Sequence, residues 1–285
     1  MKIIEISNYL NEQLILDIKA ENSLKYLDEL HIVESNSTYR YKKKFFNLKK
    51  NFNHIIYHKL DGIKLFYKPS IKLSRHFPFF DSQKYSWLNE KIQRDYLLKD
   101  LQNSTNDNDI LIISDLDEII NPIFFDEINH LVRSKQIITI KFYTTMYYLN
   151  LFVVNKELEP AEMSHRIFIM TGKYFKKIDS IDKLRILGSA NKLKEIYCPK
   201  KVMGFHHSWL LSNNLLYKLK NYSHKVEEHA GLKTNNKDHI QRELITKIIK
   251  EKKNLIGNLN LSKLDHIKLL QSVKNKKINY KSLFL

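Results

Sequence analysis

Four apolar residues, Ile110-Leu111-Ile112-Ile113, run without a polar interruption and lead into Ser114-Asp115-Leu116-Asp117. The run follows the polar stretch 103–109, is too short for a stable helix and is rich in β-branched side chains. It therefore predicts a strand covered on both faces, the kind found in parallel sheets flanked by helices. In open sheets of that type ligands bind outside the carboxyl ends of the strands, and Asp115 and Asp117 stand at that end. Residues two apart in extended chain point the same way, so both carboxylates are expected to face one divalent cation. Hard oxygen donors suit Mg²⁺ or Mn²⁺, in a site that shares its ion with substrate phosphates.

Periodicity places this strand in an alternating series. Residues 2–6, 30–34 and 53–60 read as strands, and 11–27 as a helix with apolar positions at helical spacing. Ser82 is placed to cap a helix over 83–101, and Asn121-Pro122 to open another that runs to residue 134. Two β-rich stretches follow, 137–154 and 165–175. The segments 213–222, 237–254 and 261–273 carry helical spacing. Strands alternating with helices, and helices last, predict an α/β sheet domain over residues 1–235. A basic helical extension is expected over 236–285, packed on that domain.

Composition narrows the setting. One cysteine, Cys198, leaves no intramolecular disulfide and no Cys-based zinc cluster, and a reducing compartment fits. Six glycines and five prolines leave little room for a Gly-rich nucleotide loop. No export signal is legible at residues 1–10, where Glu5, Ser7 and Asn8 interrupt the apolar run. The most apolar stretch, 137–154, is too polar for a membrane span. A cytoplasmic protein is expected, with peripheral contact to the membrane.

The formal charge is +17, and residues 215–285 hold 16 Lys/Arg against 6 Asp/Glu. Such a surface attracts polyanions, whether nucleic acid, anionic lipid or phosphate-bearing saccharides. Charge alone identifies no partner.

Two enzyme classes put Asp-x-Asp after a buried strand: haloacid-dehalogenase-like phosphatases and nucleotide-sugar-dependent glycosyltransferases. The phosphatases usually carry Thr or Val where this chain has Ile119, and need a downstream Lys and a later acidic pair, commonly in a Gly-Asp setting; no adjacent acidic pair of that kind appears here. Four blocks, the Asp-x-Asp segment among them, resemble glycosyltransferase family 17, the family of the bisecting β-1,4-N-acetylglucosaminyltransferase. They are YLDELHIVESNSTY (26–39, preceded by Asn11-Glu12 and Leu16-Asp17-Ile18), SWLNEKIQRDYL (86–97), NDILIISDLDEIINP (108–122) and GFHHSWLLSNNLLYKLKNYSH (204–224). They occur in the family's order between residues 10 and 225. The chain departs from the pattern at Lys19, where Arg is usual, and at Arg40-Tyr41, Asp95 and Asn121.

The resemblance implies a GT-A-type, Rossmann-like fold and inverting transfer of a sugar, N-acetylglucosamine from a UDP-sugar donor, to a glycan acceptor hydroxyl. It assigns Asp115, Asp117 and His206 to the metal, with Mn²⁺ or Mg²⁺ as cofactor. It places Glu34, Ser35, Asn36 and Arg94 at the donor, with Asp115 and Asp117. Glu118 and His224 are the expected catalytic-site residues, with Glu162 and Asp182 as other carboxylates on the acceptor side. Trp87 and Trp209 are candidate sugar platforms, and His207 is expected to be structural. The partners implied are a nucleotide sugar and an oligosaccharide or glycan. The alternatives are the phosphatase, with Asp115 as nucleophile, and a basic nucleic-acid-binding protein, the less favoured partner class.

Overall fold

A computed structural model describes residues 1–39, 42–61, 82–135, 137–163, 166–189 and 196–210, and 217, 221, 243, 246–247, 249–253, 259–264, 270 and 284. The expected strand at Ile110–Ile113 forms and is buried along its whole length. Its side chains alternate between two cores: Ile110 and Ile112 enter one cluster, Leu111 and Ile113 the other. That two-sided burial is why the run carries no polar residue.

Around it six strands make the first sheet. In chain order they are β1 (Ile3–Tyr9), β2 (Glu29–Ser35), β3 (Ile55–Leu60), β4 (Ile110–Ile113), β6 (Ile137–Thr139) and β10 (Phe168–Thr171), arranged β3-β2-β1-β4-β10-β6. β1 to β4 are mutually parallel, while β10 runs antiparallel to both β4 and β6. The chain moves outward from β1 through β2 to β3, then crosses back to lay β4 on the other flank of β1. The gap beyond the carboxyl ends of β1 and β4 is thus a topological switch point, where such sheets take ligands. The α/β expectation holds.

Helix α1 (Gln13–Ser23) joins β1 to β2 and buries Ile15, Leu16 and Ile18 against the sheet. The helix expected over 83–101 is broken in two, α2 (Ser82–Asp95) and α3 (Leu98–Ser104). A 3₁₀ turn at Pro122–Phe124, capped by Asn121, leads into α4 (Phe125–Lys135). Residues Gly172–Phe175 form a short helix, α5, although they read as part of a β-rich stretch, and α6 (Ile181–Ser189) follows.

A second sheet has the order β12-β8-β7-β11-β5, built from β5 (Glu118–Ile120), β7 (Lys141–Met146), β8 (Leu151–Val154), β11 (Val202–Ser208) and β12 (Asn260–Lys263). β9 (Glu162–Met163) lies on β7. The spacing predicts a helix from residue 261, but Asn260–Lys263 is a strand paired antiparallel to Leu151–Val154. A buried Leu261 between exposed Asn260 and half-buried Ser262 suits a sheet edge, and the open edge of β8 overrides helical propensity there. Part of the expected extension is therefore knitted into the second sheet. Among the described residues no helix is long and apolar enough to cross a membrane.

Candidate active site at the carboxylate turn

The segment after β4 is a turn and not extended chain. The Glu118 amide donates to the Asp115 carbonyl at 3.1 Å, and the Asp115 amide donates to the Glu118 carboxylate at 2.8 Å. The alternation that would aim both aspartates at one point does not apply inside such a turn. Asp115 meets two arginines, whereas Asp117 approaches His206, with Oδ1 3.6 Å from Nε2. His206 arrives by strand register: β5 and β11 pair antiparallel with Glu118 opposite His206. Gly204 permits this pairing, because a Cβ there would lie 2.6 Å from the Ile119 carbonyl oxygen. The His207 amide also donates to the Asp117 carbonyl at 2.8 Å, tying the turn to β11.

A buried lysine holds the turn from beneath. Lys19, on α1, is 1% exposed and forms a 2.6 Å ion pair with Glu5 of β1, equally buried. Its ammonium also donates to Ser114 Oγ (2.8 Å) and to the carbonyls of Glu118 (2.6 Å) and Asp115 (3.2 Å). Ser114 in turn donates to Glu5 at 2.6 Å, and its hydroxyl lies 2.9 Å from that of Ser7. An ammonium has donors that radiate from one point, which suits this cage of oxygens.

Above the turn, Arg185 of α6 grips the Glu118 carboxylate with both terminal nitrogens, each at 3.1 Å, and lies 2.5 Å from Asp115. Arg94 of α2 reaches Glu90 (2.6 Å), Asp182 (2.8 Å) and Asp115 (3.2 Å). Burial pushes the Asp115 carboxyl upward, but the guanidiniums of Arg185 and then Arg94 outweigh it and hold the group below the usual aspartate range. Burial works equally against the charge on Arg185, and Asp115 and Glu118 more than offset it.

The network is acidic. Five carboxylates (Glu5, Glu90, Asp115, Glu118, Asp182) face four cations (Lys19, Arg94, Arg185 and, acting on Asp115 from further off, Arg166), before Asp117 is added. Excess buried negative charge is costly unless a cation joins it. Among the described residues no three His, Cys, Asp or Glu side chains converge as a complete metal cage. Asp117 and His206 are two side chains of types that ligate divalent ions, so an ion held there would need a ligand's oxygens to complete its shell. Beside the turn lies a small pocket of about 10 Å³, room for a single water, walled by Ser7, Asn8, Ser114, Asp115, Arg94 and Arg185 together with three isoleucines. Asn8 Nδ2, buried at the end of β1, lacks a hydrogen-bond partner among the described residues.

No protein-family model matches the sequence, and no curated protein matches it. Among solved structures, similar folds include S. aureus TarS 1–349, with TM-score 0.37 and 11% identity over 87% of this chain and 71% of that one. The galactosyltransferase LgtC, in complex with donor and acceptor sugar analogs, gives 0.34 and 11%, over 85% of this chain and 100% of that one. The mannosyltransferase PcManGT from Pyrobaculum calidifontis, in complex with GDP-Man and Mn²⁺, gives 0.39 and 9%, over 86% and 68%. Overlap this partial leaves the functional reading to the site.

The remaining expected residues scatter. Glu34 is fully buried at the end of β2. Its oxygens are engaged by Lys44, the Tyr57 hydroxyl and the amides of Asn47 and Leu48, so it anchors the loop that follows. Ser35 accepts from the Ser37 amide, and Asn36 bonds Asp61. Glu162 sits in an ion pair with Lys141, at the other end of β7 from Thr145. His207 is buried and hydrogen-bonded to Thr145 Oγ1 at 2.8 Å; burial first, then His206, pushes its pKa down to about 3. It is neutral at ordinary pH, as a structural histidine would be. Trp87 and Trp209 are half-buried, and Trp209 has left-handed φ 54° where β11 ends, beside Tyr147 with φ 65° at the end of β7. Left-handed backbone at a residue with a side chain stores strain of about 1–3 kcal/mol. His224 lies outside the described residues, as do Arg40 and Tyr41. Sequence reasoning missed Arg185, Asn8 and Ser7. Arg185 sits on an unremarkable amphipathic helix, and nothing in its spacing points to Glu118, 67 residues away.

Proposed function

We propose that the chain is a GT-A-type, metal-dependent glycosyltransferase that moves a sugar from a nucleotide-sugar donor to a glycan hydroxyl. The observation that carries the reading is the acidic turn at the β1/β4 switch point, with Asp117 of the turn brought to His206 of β11. In this reading the donor diphosphate lies outside the carboxyl ends of β1 and β4, above the turn. Asp117 and His206 would hold Mn²⁺ or Mg²⁺, with Asp115 in the same turn. A bound divalent ion neutralises the charge that develops on the departing diphosphate.

Inverting transfer has the acceptor hydroxyl attack the anomeric carbon as the bond to the diphosphate breaks, its proton passing to a carboxylate base. Glu118 is a positioning residue here, because both of its oxygens are engaged by Arg185 and the Asp115 amide. Arg94 and Arg185 orient Asp115 and set the charge beside the turn. UDP and N-acetylglucosamine come from the four family-17-like blocks, whose late His corresponds to His224, assigned here to the acceptor side. The phosphatase reading loses ground, since an aspartate pinned by two guanidiniums is a poor nucleophile.

The test is thermal stabilisation by UDP-sugars with and without Mn²⁺. Ligand at about 100 times its Kd adds roughly 2.7 kcal/mol, a rise of several degrees in a protein of this size. That rise is expected only when metal and UDP-sugar are both present, and it should vanish in Asp117→Ala. Indifference of the unaltered protein to every nucleotide sugar in the presence of metal would sink the reading.

A further inference from the structure

The loop after β2 has the sequence Lys42-Lys43-Lys44-Phe45-Phe46-Asn47-Leu48-Lys49-Lys50. Phe45 is 85% exposed, and Lys42, Lys43, Lys49 and Lys50 are exposed around it. Exposed Lys59 of β3 adds a fifth charge, lying 5.4 Å over the ring of Phe46 and 5.6 Å over that of Tyr57. Among the described residues the nearby carboxylates outside the buried Glu34 are fewer: Asp17, which accepts from Gln13 and Asn51, Asp61, bonded to Asn36, and Glu12, beside the Asn11 that bonds Asn47.

A large apolar side chain standing in water is usually the accident of a loose loop. This loop is pinned on both sides of Phe45. Buried Glu34 holds Lys44 on one side and the amides of Asn47 and Leu48 on the other. Leu48 and Phe52 pack onto the core, and the Lys49 amide donates to Gln13 at 2.8 Å. The fold therefore builds a projecting phenyl ring inside a ring of lysines and keeps it there.

We propose that this loop is a docking surface for an anionic lipid bilayer, with Phe45 entering the boundary between headgroups and acyl chains and the lysines meeting the lipid phosphates. Charge complementarity selects the occupant. An anionic membrane attracts polybasic segments through lysine charge alone, and a phenyl ring adds apolar burial. Among the described residues the exposed basic side chains of this patch are lysines around a projecting phenyl ring, the pairing of charge and apolar surface that an anionic bilayer takes up. The loop leaves the carboxyl end of β2, the same edge of the sheet as the carboxylate turn after β4. Docking would hold that edge toward the bilayer. The inference stands apart from the transferase reading, because vesicle binding needs neither nucleotide nor metal.

The experiment is sedimentation of the full chain with vesicles of phosphatidylcholine alone or with 30% phosphatidylglycerol, at low and high salt, beside binding to a duplex DNA probe. Binding is expected to the anionic vesicles and to fall with salt. Lys43→Gln/Lys49→Gln/Lys50→Gln should weaken it roughly a hundredfold, from about fivefold per lysine. Phe45→Ser should weaken it roughly tenfold or more. Phe45→Trp should bind and show a blue-shifted emission on anionic vesicles, quenched by brominated lipid. These positions are exposed, so melting should barely change. Absence of vesicle binding by the unaltered protein would overturn the proposal. So would loop variants that bind as well as the parent, which would leave the basic residues of 236–285 as the contact. DNA binding with no vesicle binding would overturn it in favour of nucleic acid.

Discussion

Replacing Lys19 by methionine is expected to destabilise the protein by about 3–5 kcal/mol, the usual result of removing one partner from a buried ion pair. The side chain is similar in length, so the loss is electrostatic and not a cavity. Glu5 would be left buried beside Ser114 with its cation gone, and two carbonyls of the carboxylate turn would lose their donor. Urea unfolding reads the effect as a lower midpoint at unchanged slope. Adding Glu5→Gln to Lys19→Met should recover part of the loss, because removing both charges lifts the burial penalty on the survivor. A Lys19→Met protein within about 1 kcal/mol of the parent would mean that the pair is dispensable to the fold. The turn should also slacken, so metal-dependent nucleotide binding is expected to weaken even where the variant remains folded.

Arg185→Met should have the second large effect, and one that depends on pH. The variant leaves Glu118 and Asp115 without the cation they share, costing about 3–5 kcal/mol at neutral pH. The sign follows from Asp115. In the parent its folded-state pKa is depressed, so its contribution is present above the unfolded value of about 3.9 and is lost as pH falls below that. Without Arg185 the opposing burial gains weight, and ionised Asp115 becomes a liability that protonation relieves. The stability gap between parent and variant is therefore widest at neutral pH and narrows as pH is taken below about 4. Chemical denaturation at several pH values measures it, and a gap that stayed constant or widened toward acid would contradict this account. Arg185→Lys should rescue only part, since one ammonium cannot reproduce the two-pronged grip on Glu118.

The two arginines differ in how legible they were. Arg94 stands in a block whose resemblance marked it, and it does reach Asp115. Arg185 carries no local signal, because its partners lie in a turn that only the fold brings to α6. The same contrast separates Asp117 and His206 from Glu34. Asp117 and His206 come together because β5 and β11 pair in one register. Glu34 stands at the expected strand end, but its carboxylate serves the loop from 42 to 50.

Local chemistry decided the elements. An uninterrupted apolar run made β4, alternation of strand and helix made the α/β sheet, and the carboxylates had to emerge at the strand's end. Those outcomes depend on burial pattern and neighbours a few residues away, and the chain carries both in its own order. The partners of each charge were decided only by tertiary structure. A buried ion selects its counterion by proximity in three dimensions, so Lys19 with Glu5, Arg185 with Glu118, and the strand at Asn260–Lys263 follow from strand order and register. Spacing along the chain carries no trace of such contacts, because the free energy that fixes them comes from groups 14 to more than 100 positions apart.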